Sequence, residues 1–202
     1  MPIDALISLI GIAMAAAWSP GPNNALVASS GARFGFRRTF PHVAGIGIGF
    51  PVMIFCIAIG LGQLFQQSAL LREILRFGGI FVLLFVAWQI ANSAGKATKK
   101  QTGKPFSFLK GAAFQWVNPK AWVMAIGISA QYVKPDALFS TALIVASVFL
   151  VVGFGSASSW TAFGAGMQRW LNTDNRLRIF NVTMAGLIVL SVLFIATAEL
   201  AL

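Results

Sequence analysis

Acidic residues are scarce in this sequence: Asp and Glu together number 5, against 15 Lys and Arg. Charged residues of both signs make up only 10% of the chain, against about 25% in an average soluble domain. So little charge cannot coat a water-facing surface, which excludes an ordinary soluble enzyme and a charge-rich disordered chain. A single cysteine, Cys56, excludes an internal disulfide framework, and a single histidine, His42, excludes a histidine-based metal site. Alternating strand-like patterning is missing as well, which excludes a lipid-facing β-barrel. What the chain does have is apolar residues, 57% of 202. The composition reads as an integral membrane protein.

Six apolar stretches separate along the chain: Ala5–Ser30, Val43–Leu64, Phe77–Ala94, Gly111–Val133, Leu138–Gly166 and Ile179–Leu200. Each is long enough to cross about 30 Å of hydrocarbon as a helix, and backbone in lipid must bond to itself. The expected fold class is therefore all-α, a polytopic membrane protein with six transmembrane helices. The first stretch is expected to be a retained helix and not a secretory signal, because no basic residue precedes it. The basic residues divide unevenly between the two sides. Arg33, Arg37, Arg38, Lys96, Lys99, Lys100, Lys104, Lys110, Arg169, Arg176 and Arg178 fall on one side. Only Arg72, Arg76 and Lys134 fall on the other, and Lys120 lies inside a span. The positive-inside rule then puts both termini outside the cytoplasm. The Lys-rich connector, about residues 95–110, reads as a solvated cytoplasmic loop, so no nucleic acid is expected as a partner.

Two spans are interrupted. The first contains Trp18-Ser19-Pro20-Gly21-Pro22-Asn23-Asn24 and the fourth contains Trp116-Val117-Asn118-Pro119-Lys120. Proline inside a helix removes a donor and clashes with the carbonyl four residues back, so Pro20, Pro22 and Pro119 should free the carbonyls of Ala16, Trp18 and Gln115. Ser19-Pro20 and Asn118-Pro119 each read as an N-cap followed by proline at the first helical position. Helices one and four are thus expected to be broken in mid-membrane, which lipid tolerates only where the freed groups face protein or a cavity. Half-helix N-termini attract anions and unpaired carbonyls attract cations. A zwitterion needs both, and the amides of Asn23, Asn24 and Asn118 can serve either end. Lys120 would complement a carboxylate, or else snorkel to the inner surface. A simple proline kink is the blander account of each break taken alone.

An odd number of spans per half implies that a duplicated unit is inverted. The paired proline clusters, with Gly79-Ile80-Phe81-Val82-Leu83 echoed by Gly186-Leu187-Ile188-Val189-Leu190, favour a 3+3 inverted repeat with a site near the midplane. One transporter domain over residues 1–202 is expected, with repeat 1 over about 1–95 and repeat 2 over about 111–202. Gly45, Gly47 and Gly49 in span two and Gly153, Gly155, Ser156, Ser158 and Ser159 in span five form small-residue faces. These faces suit close helix packing, or the border of a permeation path. Trp88, Trp116, Trp122, Trp160 and Trp170 are expected to form an aromatic belt near the span ends.

On these residues the sequence resembles the lysine exporter family of amino-acid efflux proteins. Ser19-Pro20-Gly21-Pro22-Asn23-Asn24 matches its first-helix signature and Asn118-Pro119-Lys120 the fourth-helix counterpart. The resemblance covers nearly the whole chain. It is most similar to the cysteine and O-acetylserine exporter subgroup, on Gly35-Phe36-Arg37, Ala44-Gly45, Ala87-Trp88-Gln89-Ile90-Ala91, Lys104-Pro105-Phe106-Ser107-Phe108 and Gln115-Trp116-Val117-Asn118. Many other members carry Leu-Gly where this chain has Val86-Ala87.

The resemblance implies efflux of a small amino acid or derivative from the cytoplasm across a bacterial inner membrane. The proton gradient or the membrane potential would drive it, with no cofactor, no metal and no enzymatic activity. Substrate is expected at Ser19, Pro20, Gly21, Pro22, Asn23, Asn24, Asn118, Pro119 and Lys120. No Asp or Glu lies deep in a span, so the usual carboxylate proton carrier is missing. His42 is then the candidate for coupling, or an ordinary interfacial histidine. The same lack disfavours a cationic amino acid as substrate. A small-ion carrier, a membrane scaffold and an intramembrane hydrolase using Ser156 or Ser159 with His42 are less favoured readings of the same residues. The sequence leaves a homo-oligomer open.

Overall fold

The computed structural model describes residues 1–62, 67–92 and 104–198, with side chains as far as Leu193. Most of the expected 95–110 connector, with Lys96, Lys99 and Lys100, lies outside the described residues, as does Glu199. The described residues contain helices and no strand.

Among the described residues eight α-helices follow one another: α1 (Ile3–Trp18), α2 (Pro22–Phe34), α3 (Phe36–Cys56), α4 (Ala69–Asn92), α5 (Phe108–Val117), α6 (Pro119–Tyr132), α7 (Leu138–Gly166) and α8 (Asp174–Ala198). A wider turn at Ile57–Leu61 extends α3, and Gly60 kinks it at φ 145. Four helical stretches are long and apolar enough to cross a membrane alone: Phe36–Leu61, Ala69–Asn92, Pro135–Arg169 and Asp174–Leu193. The α1–α2 pair, bent by 54°, adds a fifth, broken one. The expected Gly111–Val133 span is divided into α5 of 10 residues and α6 of 14, each short of the about 17–25 a lone spanning helix needs. Length and composition thus support four spans, or five with the bent pair. Large apolar side chains such as Ile7, Phe81, Trp88, Leu143, Val151 and Leu190 point outward, as they can in a membrane protein whose solvent is hydrocarbon.

Sharp reversals need special backbone. Between α2 and α3 the chain turns at Gly35, whose φ of 80 is a left-handed conformation that a Cβ would strain. This turn brings the end of α2 beside the start of α3. Gly35 there faces Gln168, just past α7. Phe108 and Gly111 of α5 meet Gly45 of α3 at the same end. Arg33, Arg37, Arg38, Lys110 and Arg169 therefore gather at what we term the basic end.

Two large apolar clusters and a small third one, Val27, Val43, Ile46 and Ala157, make up the core among the described residues. Leu26, Ala28, Leu83, Val86, Phe180 and Ile188 unite α2, α4 and α8. Leu9, Met53, Ile54, Ala125, Val145 and Phe149 unite α1, α3, α6 and α7. Between helices in hydrocarbon such clusters stabilise through close van der Waals packing, since leaving lipid for protein gains little by itself. The span-two face acts in packing, since a Cβ at Gly45 would collide with the Phe108 carbonyl and one at Gly49 with Ala112, whereas Gly153 and Ser156 of the span-five face line a cleft; close packing also occurs at Gly31, against the Thr161 carbonyl, and at Gly164, against that of Ala28. The echoed glycines differ in surroundings. Gly79 lies against the second break, whereas nothing is within 4 Å of a Cβ at Gly186.

Candidate functional site

Both proline clusters break their helices. In the first, α1 closes on Ser19, whose N–H donates to Ala15 O at 3.1 Å and whose hydroxyl donates to Ala16 O at 2.7 Å. Gly21 is the N-cap of α2 and Pro22 its first residue. This corrects the expectation that Ser19-Pro20 would open the second half. A residue before proline is disfavoured in the helical region, so Pro22 forces Gly21 to be extended and the helix cannot begin at Pro20. In the second break Asn118 is extended, with φ −91 and ψ 107, and Pro119 opens α6 as expected. The Asn118 side chain makes no cap hydrogen bond there. It is left for other work.

Two of the carbonyls expected to stay unpaired are engaged by protein donors, Ala16 O by the Ser19 hydroxyl and Gln115 O by the Asn118 N–H, and neighbouring carbonyls are met as well. Asn24 Nδ2 donates to Ala17 O at 2.8 Å and Ser19 O at 3.0 Å. Ser156 of α7 also donates to Ala17 O, at 2.7 Å. The Asn118 N–H donates to Gln115 O at 3.3 Å, and Trp122 Nε1 to Trp116 O at 2.9 Å. These bonds satisfy carbonyls at and beside the breaks that would otherwise be stranded in a dry setting.

Lys120 ties the breaks together. Its Nζ donates to Ser19 Oγ at 2.7 Å, with Ser19 O at 3.3 Å and Pro20 O at 3.4 Å. The structure thus directs Lys120 into the first break. Gly21 makes room for it, since a Cβ there would lie 2.9 Å from Nζ. Gly79 does the same for the second break: a Cβ would lie 2.7 Å from Val117 O and 2.9 Å from Pro119 Cγ. Asn23 and Gln115 form a second tie, an amide pair with bonds of 2.8 and 3.2 Å.

A small, half-open cleft lies between the breaks. Gly21, Pro22, Asn23, Asn24, Asn118 and Lys120 line it. Ser19, Pro20 and Pro119 shape the breaks without lining the cleft. Apolar walls come from Ile46, Phe50, Met124 and Phe149. Among the described residues no Asp or Glu lines it. Asn118 is 2% exposed and its Oδ1 has no hydrogen-bond partner within the protein. A buried unpaired acceptor costs about 1–3 kcal/mol. The cleft therefore offers an ammonium group an acceptor and a carboxylate a cation.

Sequence reasoning missed Gln115 as part of this site, and offered Ser156 only as one alternative for its small-residue face. Gln115 could have been found as an amide inside an apolar run, where polar side chains need partners. Trp116 and Trp122, expected in an aromatic belt, bracket the second break edge to face at 6.0 Å. His42 does not reach the cleft. It is 1% exposed, lies 5.0 Å from the Phe106 ring, and neither ring nitrogen has a hydrogen-bond partner within the protein. The Ser156 and Ser159 hydroxyls bond to Ala17 O and Gly155 O, so no serine–histidine pair forms.

The LysE type translocator family model matches residues 14–198. Cysteine/O-acetylserine efflux proteins of Escherichia coli strain K12, Escherichia coli O1:K1 and Shigella sonnei are 31% identical over 175 residues. Those residues are 86% of this chain and 88% of each relative. No solved structure matches the chain. The family match spans both helix breaks and the cleft between them, and the chain belongs to the LysE type translocators.

Proposed function

We infer that the protein exports a small neutral amino acid or derivative, of the cysteine and O-acetylserine kind, from the cytoplasm. One observation carries this reading: the unpartnered Asn118 Oδ1 and the Lys120 ammonium belong to the same cleft between two broken helices. An α-amino acid presents an ammonium and a carboxylate on one carbon, and those two groups answer this pair. The side chain would rest against Phe50, Met124 and Phe149. The relatives' names favour cysteine and O-acetylserine, both small enough for such a wall. The lack of an acidic lining residue disfavours lysine, whose extra charge would go unanswered.

In this reading α1–α2 and α5–α6 each cross the membrane as one broken span, giving six spans in a single domain. The two three-span units are related by inversion and rock about the cleft. The basic end lies in the cytoplasm and both termini face outward, in a bacterial inner membrane. The proton gradient or membrane potential drives export.

Counterflow in proteoliposomes tests the reading. Vesicles loaded with unlabelled cysteine or O-acetylserine should accumulate the labelled amino acid saturably, and lysine should compete poorly. No saturable exchange with any amino acid would overturn it.

A further inference from the structure

On the side away from the basic end, an apolar plug closes the cleft. Phe50, Ala121 and Phe149 line the cleft and also belong to the cluster that unites α1, α3, α6 and α7. Further from the basic end the same cluster continues through Leu9 and Ala13 of α1, Met53 and Ile54 of α3, Ile128 of α6 and Val145 of α7, all of them buried.

Within this plug α1 and α6 are tied to each other twice. At the cleft end Lys120 Nζ donates to Ser19. At the far end the hydroxyls of Ser8 and Tyr132 share a hydrogen bond of 2.9 Å. From Ser8 to Ser19 on one helix, and from Lys120 to Tyr132 on the other, the ties are about 16–18 Å apart at 1.5 Å per residue. The matched spacing means that α1 and α6 lie side by side and antiparallel. Ser129, one turn before Tyr132 on α6, has a buried hydroxyl with no partner within the protein.

The helix halves nearer the basic end are fixed in another way. Gly31 of α2 and Gly164 of α7 meet the backbone of the facing helix, and Gly45 and Gly49 of α3 meet that of α5. Contacts of backbone on backbone leave no slack for tilting. Gly11 of α1 and Gly127 of α6 show the opposite, with nothing within 4 Å of an added Cβ. Each of these two helices also ends at a break, α1 before Pro20 and α6 at Asn118. The α1–α6 seam is therefore held by side chains, and both of its helices have a pivot at the cleft. An ammonium has three donors, and Lys120 directs them at Ser19 Oγ, Ser19 O and Pro20 O. A carboxylate entering the cleft has to take at least one of them from the first break.

We propose that the α1–α6 seam is the exit gate: the substrate carboxylate draws Lys120 from Ser19, and α1 and α6 then part at Ser8 and Tyr132 to release the amino acid away from the basic end. The assignment rests on the efflux reading. Tyr132 and Ser8 hold the gate shut and take no part in binding. Opening admits water to the Ser129 hydroxyl, which offsets part of the cost of parting the apolar surfaces.

Ser129→Cys is nearly isosteric and breaks no side-chain hydrogen bond, and Cys56 is the only cysteine in the chain. In a Cys56→Ser background the new thiol therefore reports water entering the seam. Right-side-out and inside-out membrane vesicles carrying the full-length protein are treated with 2-sulfonatoethyl methanethiosulfonate, which does not cross membranes. O-acetylserine serves as substrate, because the thiol of cysteine would consume the reagent. In right-side-out vesicles O-acetylserine should raise the labelling rate at least threefold. Lys120→Met should label fast with or without it. Tyr132→Phe and Ser8→Ala should each label at least threefold faster than the parent without substrate. The double variant should label no faster than either single one, since all three lack the same bond. Leu9→Cys repeats the reading from α1 and covers the case in which Ser129→Cys does not fold.

Labelling indifferent to O-acetylserine, in vesicles that exchange it, overturns the proposal and leaves the efflux reading standing. A rise on both faces alike marks a loosened fold and overturns the proposal as well. Faster labelling of Tyr132→Phe in a protein that exchanges no amino acid overturns the release role together with the efflux reading. A substrate-driven rise confined to inside-out vesicles puts this end of the molecule in the cytoplasm and overturns both.

Discussion

Asn23 and Gln115, one from each helix break, hold each other through two hydrogen bonds: Asn23 Nδ2 donates to Gln115 Oε1 at 2.8 Å and Gln115 Nε2 to Asn23 Oδ1 at 3.2 Å. Gln115 is fully buried. The pair fixes the start of α2 against the end of α5, which sets the width of the cleft.

A single replacement therefore strands its partner. Gln115→Leu should cost about 1–3 kcal/mol, the price of an unpaired buried amide. Asn23→Leu should cost less, because Asn23 is only half-buried. The double variant should recover part of the sum, since neither amide is then stranded. Thermal unfolding of the four proteins in detergent, analysed as a double-mutant cycle, measures this coupling. Strict additivity would show that the two bonds contribute nothing jointly.

Lys120 is expected to do more than staple the first break. Lys120→Met keeps the stem and removes the charge, so cysteine exchange should fall at least tenfold. Ser19→Ala leaves the charge in place and should reduce exchange only a few-fold. Counterflow rates normalised to reconstituted protein check both values. Equal losses in the two variants would reduce Lys120 to a structural bond.

Asn118 gives the sharpest test of substrate polarity. Asn118→Leu removes the unpartnered acceptor and should abolish competition by amino acids. Asn118→Asp places a negative charge beside the ammonium position, and lysine should then compete measurably better than against the native protein. Inhibition of labelled cysteine counterflow by a panel of amino acids reads both changes. An unchanged panel in Asn118→Asp would mean that the ammonium binds elsewhere.

Both helix breaks were legible in the sequence because proline acts locally: it removes its own donor and restricts the residue before it, whatever the tertiary context. The same rule, applied two residues further at Pro22, places the first cap at Gly21 and not Ser19. Where the freed carbonyls go is a different matter. Ala17 O is met by Ser156, which lies 139 residues away, and no local pattern announces such a partner. His42 was equally opaque, because a histidine near a span end reads as interfacial until packing by Phe106 and Gly111 buries it. The fourth span shows the opposite limit. Its apolar run is continuous in sequence, yet Asn118 and Pro119 divide it into pieces that no length criterion recognises.

Glycine substitutions separate close packing from mere helix content. A Cβ at Gly164 would fall on the Ala28 carbonyl and one at Gly31 on the Thr161 carbonyl. Both obstacles are backbone, which no rotamer change can relieve. Overpacking of this kind costs about 1–3 kcal/mol or more, so Gly164→Ala and Gly31→Ala should each lower the unfolding temperature clearly. Gly127 and Gly186 also lie within helices, but nothing is within 4 Å of an added Cβ. There the higher helix propensity of alanine should dominate, by up to about 1 kcal/mol, and the unfolding temperature should hold or rise. Thermal unfolding of the four alanine variants in one detergent makes the comparison. If Gly164→Ala proves as stable as Gly186→Ala, α2 and α7 do not cross at the close approach that brings Ser156 to Ala17 and completes the wall of the cleft.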